Sequence, residues 1–552
     1  MTAPPDVKRR KHPIVSRVLT VLACLLVFCA LVLPREIGQL TPLAFVRIPV
    51  EGLVAVVLLL LLLPARARRI VAVVGGALLA LLTILRFIDM GFLATLVRPF
   101  DPIQDWSLIG DGYNFVTASF GNAAGVAAAI LASVIVVALI VLMALAMLRI
   151  TRLIGGQRRT TTRVVAVLSV VWLGAAALGT QLVAPVPFAS RSAAALAYQE
   201  ATQVPVSLHD QAEFDALAGV DAFRNTPNSD LLTALHGKDV IFTFVESYGR
   251  SAVEDPTYAP VVDATLDQGT QALKAAGFSS RSAFLTSPVA GGGSWLAHAT
   301  FGSGLWIANQ NRDHSLTSSN RLTLTSAFHR ANWDTVAVMP GTISAWPEAN
   351  FYGIDRTYAR DDLGYKGLNF SWSPMPDQYT LQQFQQREYG KPGRPPMMAE
   401  LVLTSSHIPW TPVPKMLDWN AIGDGSGYDG LVKATDGPDV VWQDPNRVRA
   451  GYRDAVAYSL NSLISWVKTY GDKNLVMVFL GDHQPAPIIT GESASRDVPV
   501  TIVAHDPAVL DRVADWGWSD GLRPAATAPV WRMDSFRDKF LAAFDNQEDP
   551  AH

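Results

Sequence analysis

Long apolar stretches dominate the first third of the chain, and they restrict its fold more than any other feature. A helix needs about 20 mainly apolar residues to cross the hydrocarbon core of a bilayer. The second stretch contains Arg47 and Glu51, which are four residues apart and can pair on one helical face. We predict an α-helical bundle of five membrane spans over residues 1–184. The five stretches are residues 14–34, 43–63, 70–89, 122–148 and 164–184.

Basic residues cluster beside these stretches and predict the membrane topology. Cytoplasmic loops of membrane proteins carry an excess of Lys and Arg. A five-span chain that starts inside brings all three basic segments to the cytoplasmic face and everything after Pro185 to the other side. We predict a multi-pass membrane protein with a cytoplasmic N-terminus and an extracytoplasmic C-terminal domain. The basic residues are Lys8–Lys11, then Arg66, Arg68 and Arg69, and then Arg149, Arg152, Arg158, Arg159 and Arg163.

Four charged residues, Arg47, Glu51, Arg86 and Asp89, map near the outer ends of the second and third predicted spans. Charges at membrane depth are costly and often functional. One interpretation is structural pairing with side chains that reach the membrane surface. The other is contact with a lipid headgroup. The sequence leaves both open.

The residue composition of the chain changes after the membrane stretches. Residues 185–235 mix Ala, Pro and polar residues, which favours a helical connector. From residue 236 onwards, short β-rich apolar runs alternate with helix-like segments, a pattern typical of a mainly parallel sheet covered by helices. We therefore predict an α/β domain over residues 236–552. Its strands are Val240–Glu246, Thr335–Met339, Ala399–Thr404, Leu475–Leu480 and Val498–Ala504, and its helices include residues 259–275, 320–331, 378–388 and 447–469.

Charge and cysteine content exclude several classes of function. The formal net charge is -3, so no global basic field points to nucleic acid. The two cysteines, Cys24 and Cys29, both lie in the first apolar stretch. The α/β domain therefore has no disulfide framework, no thiolate zinc site and no thiol nucleophile.

Polar residues that follow predicted strands are candidates for a metal site. Glu246 follows one strand, and Asp482 and His483 follow another after Gly481. In α/β sheets, ligands bind beyond the carboxyl ends of the strands. Carboxylate oxygens and an imidazole nitrogen are suitable ligands for a divalent cation. Glu246 alone could instead be a helix cap or a surface acid.

A glycine-rich turn, residues 290–293, leads into a helix-like segment that begins at Ser294. Such a turn directs backbone N–H groups and the positive end of the helix dipole toward an anion. The Ser294 hydroxyl could coordinate a metal there and attack phosphorus. The alternative is an ordinary serine at a helix start.

Taken together, these motifs resemble the alkaline phosphatase/sulfatase superfamily, and the five-span layout resembles its lipoteichoic acid synthase-like phosphoglycerol transferases. The resemblance rests on Phe244–Tyr248, Gly293–Trp295 and Leu480–Pro485. It implies a sulfatase-like fold for the α/β domain, with Ser294 as the nucleophile. It also implies one Mn²⁺ or Mg²⁺ held by the residues Glu246, Ser294, Asp482 and His483. The family more often has Thr at the nucleophile position, so Ser294 departs from its pattern.

The same resemblance suggests residues for the substrate. The segment Leu403–Trp410 is similar to the family segment whose histidine contacts phosphate, which points to His407. His407 could also help to protonate the leaving oxygen. The segment from Trp346 to Arg356 resembles the stretch that lines the glycerol-phosphate pocket. Trp346, Asn350 and Arg356 are its candidate contacts, although any of them could lie in a surface loop.

The resemblance predicts a transferase that takes a phosphoglycerol, or similar phospho-alcohol, group from a membrane phospholipid. A serine-linked intermediate would pass the group to a lipid or glycan acceptor of the cell envelope. The alternatives are a phosphoethanolamine transferase, a phosphodiesterase, a sulfatase-like hydrolase and a non-catalytic envelope scaffold. A sulfatase needs a C/S-x-P-x-R segment, which the sequence lacks.

Overall fold

The chain forms two compact units in a computed structural model. The first, the helical unit, comprises Met1–Ala94 and Arg98–His209, and the second, the α/β unit, comprises Thr95–Val97 and Asp210–His552. The division after His209 falls inside the connector predicted at 185–235. The structure describes residues 13–61, 63–178, 181–183, 186–187, 189–190, 192–343, 346–370, 372–491 and 494–545.

Helices make up most of the first 219 residues. The described helices are α1 (Pro13–Val32), α2 (Val50–Leu61), α3 (Ala65–Leu96), α4 (Trp106–Phe120), α5 (Asn122–Gly156), α6 (Arg158–Ala177) and α7 (Ser192–Gly219). Two pairs of very short strands accompany them, β1 with β4 and β2 with β3. These strands are β1 (Ile48–Pro49), β2 (Gln181–Val183), β3 (Val186–Pro187) and β4 (Ala189–Ser190).

Three of the described helices are long and apolar enough to cross a membrane: Ile14–Val32, Ala65–Leu96 and Asn122–Gly156. They match the first, third and fourth predicted spans. In the second predicted stretch, α2 has 12 described residues. Residues 164–177 of the fifth stretch lie in α6. The prediction of five spans is therefore not confirmed.

Small residues bring these long helices together. Ala30, Leu79, Ala80 and Met143, from α1, α3 and α5, form one buried cluster. A Cβ atom on Gly76 would lie 2.8 Å from the Cα atom of Ala144, so α3 and α5 approach at backbone distance. Close packing at small residues is the usual way in which helices associate in a membrane.

The α/β unit is built on one sheet of nine strands. Its order is β12-β6-β11-β10-β5-β9-β7-β8, with β13 also paired to β6. The strands are β5 (Asp239–Val245), β6 (Ser279–Thr286), β7 (Asp334–Met339), β8 (Arg356–Ala359), β9 (Met397–Leu403), β10 (Leu475–Gly481), β11 (Asp497–Ala504), β12 (Ser519–Asp520) and β13 (Val530–Arg532).

The sheet is mixed, so the prediction of a mainly parallel sheet is not confirmed. Strands β10, β5, β9, β7 and β8 run parallel to their neighbours in that order. Strand β11 is antiparallel to both β10 and β6. A parallel connection usually needs a crossover helix, whereas the described part of the β10–β11 connection holds only the one-turn helix Pro487–Thr490. The sequence pattern of buried strands does not encode this change of direction.

Helices cover both faces of the sheet, because every residue of β5 and β10 is buried. On one face, the ring of Phe242 packs against those of Phe301, Phe328 and Phe540, with centroids 5.5–6.1 Å apart. The described helices of this unit are α8 (Ser251–Glu254), α9 (Ala259–Ala275), α10 (Ser294–Ser303), α11 (Gln310–Thr317), α12 (Leu324–Arg330), α13 (Ala349–Tyr352), α14 (Asp377–Phe384), α15 (Asp429–Ala434), α16 (Pro438–Val441), α17 (Pro445–Tyr470), α18 (Pro487–Thr490), α19 (Pro507–Asp511) and α20 (Phe536–Phe544).

Candidate metal-binding active site

Three of the predicted ligands converge at the carboxyl ends of two neighbouring strands. Glu246 follows β5, and Asp482 and His483 follow β10, which runs parallel to β5 with Val245 opposite Gly481. One ligand atom from each of the three residues lies within 4.8 Å of the others, and all three residues are buried. This group could hold a metal ion.

Ser294, the predicted nucleophile, lies at the same place. It is the first residue of α10, and Gly293 before it has a φ of 82°, a left-handed conformation that glycine adopts without strain. The Ser294 hydroxyl donates a hydrogen bond to Glu246 Oε2 at 2.9 Å and lies 3.2 Å from His483 Nε2. All four residues predicted to form the metal site are thus brought together.

Asp482 offers an unused ligand atom to this group. Its Oδ1 accepts hydrogen bonds from the backbone N–H groups of Ser247, at 2.8 Å, and His483, at 2.7 Å. Its Oδ2 is buried and has no hydrogen-bond partner among the described residues. A buried carboxylate oxygen without a partner is costly, and a bound cation would satisfy it.

His483 is oriented in the way that metal-binding histidines usually are. Its Nδ1 lies 2.8 Å from the carbonyl oxygen of Gln484. A hydrogen bond to that oxygen fixes the proton on Nδ1 and leaves the Nε2 lone pair facing Glu246 and Ser294. Two carboxylates, one imidazole and one hydroxyl form a donor set that fits a divalent cation.

The charges of the site also favour a bound cation. Burial and the nearby Glu246 raise the pKa of Asp482 to about 7. Burial alone would lower the pKa of His483, but Asp482 and Glu246 raise it to about 9. Although burial opposes it, the positive charge of His483 holds the pKa of Glu246 well below its usual range. The protonated His483 thus balances the two acids, and a divalent cation bound between them would replace the proton on its Nε2.

The backbone around these ligands is tightly constrained. Ser247 has a φ of 56°, which is uncommon for a residue with a side chain and costs energy. Its carbonyl oxygen accepts a hydrogen bond from the Tyr452 hydroxyl at 3.0 Å. A Cβ atom on Gly481 would lie 1.8 Å from the carbonyl oxygen of Tyr248. Glycine is required there, as the motif predicts.

The turn that precedes Ser294 is joined to the loop that carries Asp482 and His483. The backbone N–H of Gly291 donates to the carbonyl oxygen of Gln484 at 2.7 Å, and Ala290 forms a β-bridge with Gln484. These hydrogen bonds fix the turn before Ser294 relative to His483, so the distance between nucleophile and ligand does not depend on a free loop.

His407 lies in the loop after β9, next to the same site. Its ring stacks on that of Trp372 with centroids 3.6 Å apart, and its Nδ1 lies beside the carbonyl oxygen of Ile408. Burial lowers the pKa of His407, and Glu246 opposes this shift. The Ser406 hydroxyl donates to the carbonyl oxygen of Glu246, which attaches this loop to the metal ligand.

Asp377, at the start of α14, holds the backbone of that loop. Its Oδ1 accepts from the N–H groups of Thr404, at 2.8 Å, and Ser405, at 2.9 Å, and its Oδ2 accepts from the Ser459 hydroxyl at 2.6 Å. Burial raises its pKa to about 6. With both oxygens satisfied, Asp377 has a structural role.

The other predicted substrate contacts are placed less favourably. Trp346 stacks on Tyr352 at 5.4 Å between centroids, and Asn350 is exposed on α13. The guanidinium of Arg356 lies 3.2 Å from carboxylate oxygens of both Asp334 and Glu388. Arg356 begins β8, so it lies at the amino ends of the parallel strands, whereas Glu246, Asp482 and His483 lie at their carboxyl ends. Its placement does not support a contact with phosphate.

A further histidine, His298, lies on the helix that begins with Ser294. His298, one helical turn after Ser294, stacks on Phe244 with ring centroids 3.8 Å apart. Its Nδ1 lies 3.7 Å from Glu400 Oε1, and its Nε2 is buried without a hydrogen-bond partner in the described residues. Burial lowers the pKa of His298 to about 3 and raises that of Glu400 to about 7. From the sequence, His298 lies near the Ser294 motif and could assist there, whereas Glu400 is hidden within an apolar strand.

Comparison with known proteins gives structural similarities only. No family model matches the chain, and no curated protein matches it. The lipoteichoic acid synthase LtaP from Listeria monocytogenes is similar at 16% identity, over 52% of this chain and 70% of that one, with a TM-score of 0.36. The Streptococcus pyogenes phosphoglycerol transferase GacH, in complex with sn-glycerol-1-phosphate, is similar at 12% identity over 60% and 91%, with a TM-score of 0.35.

The C-terminal periplasmic domain of EptC from Escherichia coli, in complex with Zn, is similar at 16% identity over 49% of this chain and 73% of that one, with a TM-score of 0.32. These proteins belong to the group that the sequence motifs resemble. Because the identities and TM-scores are low, the activity of this chain has to be inferred from its own residues.

Proposed function

We propose that the protein is a metal-dependent phosphotransferase that moves a phosphoglycerol, or similar phospho-alcohol, group from a membrane phospholipid to an envelope acceptor. The observation that carries this proposal is the position of Ser294. Its hydroxyl is within hydrogen-bond distance of Glu246 and His483, and Asp482 supplies a free oxygen to the same group. A scaffold protein without activity would not need this buried arrangement.

Glu246, Asp482, His483 and Ser294 would hold one divalent cation, Mn²⁺ or Mg²⁺. When bound, such a cation lowers the pKa of a coordinated hydroxyl and neutralises charge on phosphate oxygens. Ser294 also begins α10, which has 10 residues. The N–H groups and the dipole of that helix favour negative charge on a phosphate beside Ser294.

The first step forms the bond between Ser294 Oγ and phosphorus and breaks the bond from phosphorus to the lipid alcohol. The proton that Ser294 Oγ gives up ends on the leaving oxygen, so no net proton is gained or lost. His407, which stacks on Trp372 and whose Nδ1 faces the carbonyl oxygen of Ile408, would take up this proton on Nε2 and pass it to the leaving oxygen. The products are a serine-linked phosphoglyceryl group and a diacylglycerol.

The second step reverses the roles of these groups. An acceptor hydroxyl attacks phosphorus, the bond to Ser294 Oγ breaks, and the acceptor's proton returns to Ser294. Two in-line displacements leave the configuration at phosphorus unchanged overall, so the scheme predicts retention. The apolar helices α1, α3 and α5 keep the chain at the membrane, where proximity to the lipid replaces diffusion.

The test uses the full chain, purified in detergent and incubated with labelled phosphatidylglycerol or phosphatidylethanolamine, with Mn²⁺ or with EDTA. We expect metal-dependent release of diacylglycerol from one lipid, which identifies the donor. Ser294→Ala should lower the rate by about 10³-fold or more.

The matched control is Thr300→Ser, which changes another hydroxyl residue of α10. The Thr300 hydroxyl donates to the carbonyl oxygen of Leu296 and accepts from the N–H of Ile307, and serine can keep both bonds. The control should retain the activity. Release that is undiminished in Ser294→Ala, or absent with both lipids, would contradict the proposal.

A further inference from the structure

A group of buried and half-buried charges lies within the helical unit, away from Ser294 in sequence. Three arginines, Arg35, Arg47 and Arg86, form what we call the arginine cluster, and Glu51 and Asp89 accompany them. Arg86 belongs to α3, one of the helices apolar enough to cross a membrane, yet it is only 2% exposed. A charge in such a helix is costly and calls for a specific partner.

Part of this cost is offset by the end of α1. Arg86 Nη1 donates to the carbonyl oxygens of Ala30 and Leu33, both at 2.8 Å. Arg47 donates to the carbonyl oxygen of Val32. The last carbonyl groups of a helix have no partner inside it and carry the negative end of its dipole. Both arginines therefore cap α1.

Capping does not account for two further atoms. Arg86 Nη2 and Glu51 Oε2 are both buried, and neither has a hydrogen-bond partner among the described residues. The other Glu51 oxygen accepts from the N–H of Ala194 at 3.0 Å. One donor on Arg86 and one acceptor on Glu51 thus remain unused, and the two oppositely charged residues interact electrostatically. Leaving such groups unpaired costs about 1–3 kcal/mol each, so a ligand that satisfies both would bind favourably.

The net charge of the arginine cluster and its two acids indicates the charge of this ligand. Arg35 is paired with Asp89 at 2.7 Å, and Asp89 also accepts from the N–H of Phe100. Arg47, Arg86 and Glu51 then leave one positive charge in excess. The ligand should be an anion for Arg86 that also has an O–H or N–H group for Glu51. A phosphate ester with a hydroxyl or an ammonium group has both features.

The surroundings favour a lipid over a soluble phosphate ester. Phe87, next to Arg86 on α3, is 56% exposed, and Val54, three residues after Glu51 on α2, is 50% exposed. These apolar surfaces flank the cluster and suit acyl chains. The opposite end of α1 is marked by Arg149, which donates to the Thr20 hydroxyl at 2.9 Å.

We propose that the arginine cluster binds the headgroup of a phospholipid, with a phosphate oxygen on Arg86 Nη2 and a hydroxyl or ammonium proton on Glu51 Oε2. Given the predicted topology, this lipid belongs to the outer leaflet. If the proposed function is correct, on which this consequence rests, the helical unit itself selects the donor lipid.

The binding test uses the full chain carrying Ser294→Ala, which prevents turnover, in detergent with native mass spectrometry. Phosphatidylglycerol and phosphatidylethanolamine should bind about tenfold more tightly than phosphatidylcholine, whose headgroup has no proton to donate to Glu51. Glu51→Gln should abolish this preference. Arg86→Lys, which retains a charge and can still cap α1, should weaken binding of both preferred lipids about tenfold.

Arg149→Lys is the matched control, since Arg149 contacts the other end of α1, and its lipid preference should be unchanged. Equal binding of phosphatidylcholine, or variants at Arg86 and Glu51 that behave like Arg149→Lys, would overturn the proposal. Displacement of the lipid by inorganic phosphate or glycerol phosphate alone would assign the cluster to a soluble ester and also overturn it.

A kinetic arm separates this proposal from the proposed function. With Ser294 intact, a soluble diester such as bis(p-nitrophenyl) phosphate reports the chemistry without the lipid. Metal-dependent turnover that requires Ser294 supports the function, and its absence defeats the function whatever the lipid data show. We expect Arg86→Lys to lower kcat/KM for the lipid about tenfold relative to the soluble diester. An unchanged ratio would overturn the headgroup site alone.

Discussion

Asp482 and Asp377 are two buried carboxylates beside loops that follow strands of the same sheet, and they differ in how many partners they have. Both are 0% exposed. Both Asp377 oxygens accept hydrogen bonds from the chain. Asp482 uses only Oδ1, and its Oδ2 has no partner in the described part of the chain. Burial raises the pKa of each, to about 6 for Asp377 and about 7 for Asp482.

The difference shows that burial and a raised pKa do not by themselves mark a functional carboxylate. In a carboxylate that only holds a loop, both oxygens accept hydrogen bonds from protein donors. In a carboxylate that binds a ligand, one oxygen has no protein donor and can contact the ligand. The same substitution, aspartate to asparagine, should therefore have opposite consequences at the two positions.

The largest effect is expected for Asp482→Asn. The amide oxygen can still accept from Ser247 and His483, but an N–H group replaces the free oxygen. Affinity for Mn²⁺ should fall by more than the 10–100-fold seen when an outer partner of a metal ligand is lost. Activity should fall about 10³-fold, since several kcal/mol of transition-state stabilisation depend on the cation. Calorimetry with the full chain in detergent measures the affinity.

Asp377→Asn is the control for this experiment. Its amide can accept from Thr404 and Ser405 and donate to the Ser459 hydroxyl, so metal affinity should stay within about twofold of the parent, well short of the effect of a lost ligand partner. Equal loss of affinity in both variants would show that hydrogen-bond occupancy does not separate the two carboxylates.

A smaller effect, on stability, is expected for Asp377→Ala. It leaves the N–H groups of Thr404 and Ser405 buried without an acceptor, at about 1–3 kcal/mol each. The free energy of unfolding of the α/β unit should fall by about 2–6 kcal/mol. Urea unfolding of the full chain in detergent, followed by tryptophan fluorescence, measures this change. A fall below 1 kcal/mol would mean that Asp377 does not hold the His407 loop.

The pH dependence of stability gives a third measurement. The pKa of Asp377 is raised to about 6 from its usual 3.8, so between these values the folded chain keeps a proton that the unfolded chain has lost. Its contribution to stability is therefore complete below about pH 4 and is lost as the pH rises through 6. The loss amounts to at most about 3 kcal/mol.

The Asn variant at position 377 cannot lose this proton. The difference in stability between parent and Asp377→Asn should therefore change in favour of the variant as the pH rises from 4 to 6. A difference that stays constant over this range would place the pKa of Asp377 near its usual value and remove the basis of the prediction.

The smallest effect is expected for Glu400→Gln. Burial raises the pKa of Glu400 to about 7, so near that pH much of it is already neutral, and glutamine matches that form. The free energy of unfolding at pH 7 should change by less than about 1 kcal/mol. A larger loss would show that Glu400 is ionised and paired with His298, in contrast to Asp377.

The sequence predicted that the candidate ligands lie close together because each lies where a local pattern changes. Glu246 and Asp482 end apolar runs, and Ser294 follows a glycine-rich turn, so the strand-end rule of α/β sheets was enough to bring them together. The buried strands β5, β7, β9, β10 and β11 were predicted for the same reason.

Other features depend on contacts that no local pattern records. The direction of β11 follows from the short connection to β10, and Arg356 is engaged by Asp334 and Glu388, of which Glu388 is 32 residues away. Trp372 reaches His407 only through the fold. The second predicted span is not confirmed, since that stretch contains a helix of 12 described residues.

The hydrogen bond from Gly291 to Gln484 has a consequence for how the proposed site would acquire a cation. Because this bond and the bridge at Ala290 already join the nucleophile's turn to the ligand loop, the chain need not reorganise around an arriving ion. Loading should be rapid, reversible and weakly selective, so the ion in use would follow the supply outside the cell. An envelope enzyme of this design would respond to its surroundings through metal exchange instead of through synthesis of new protein.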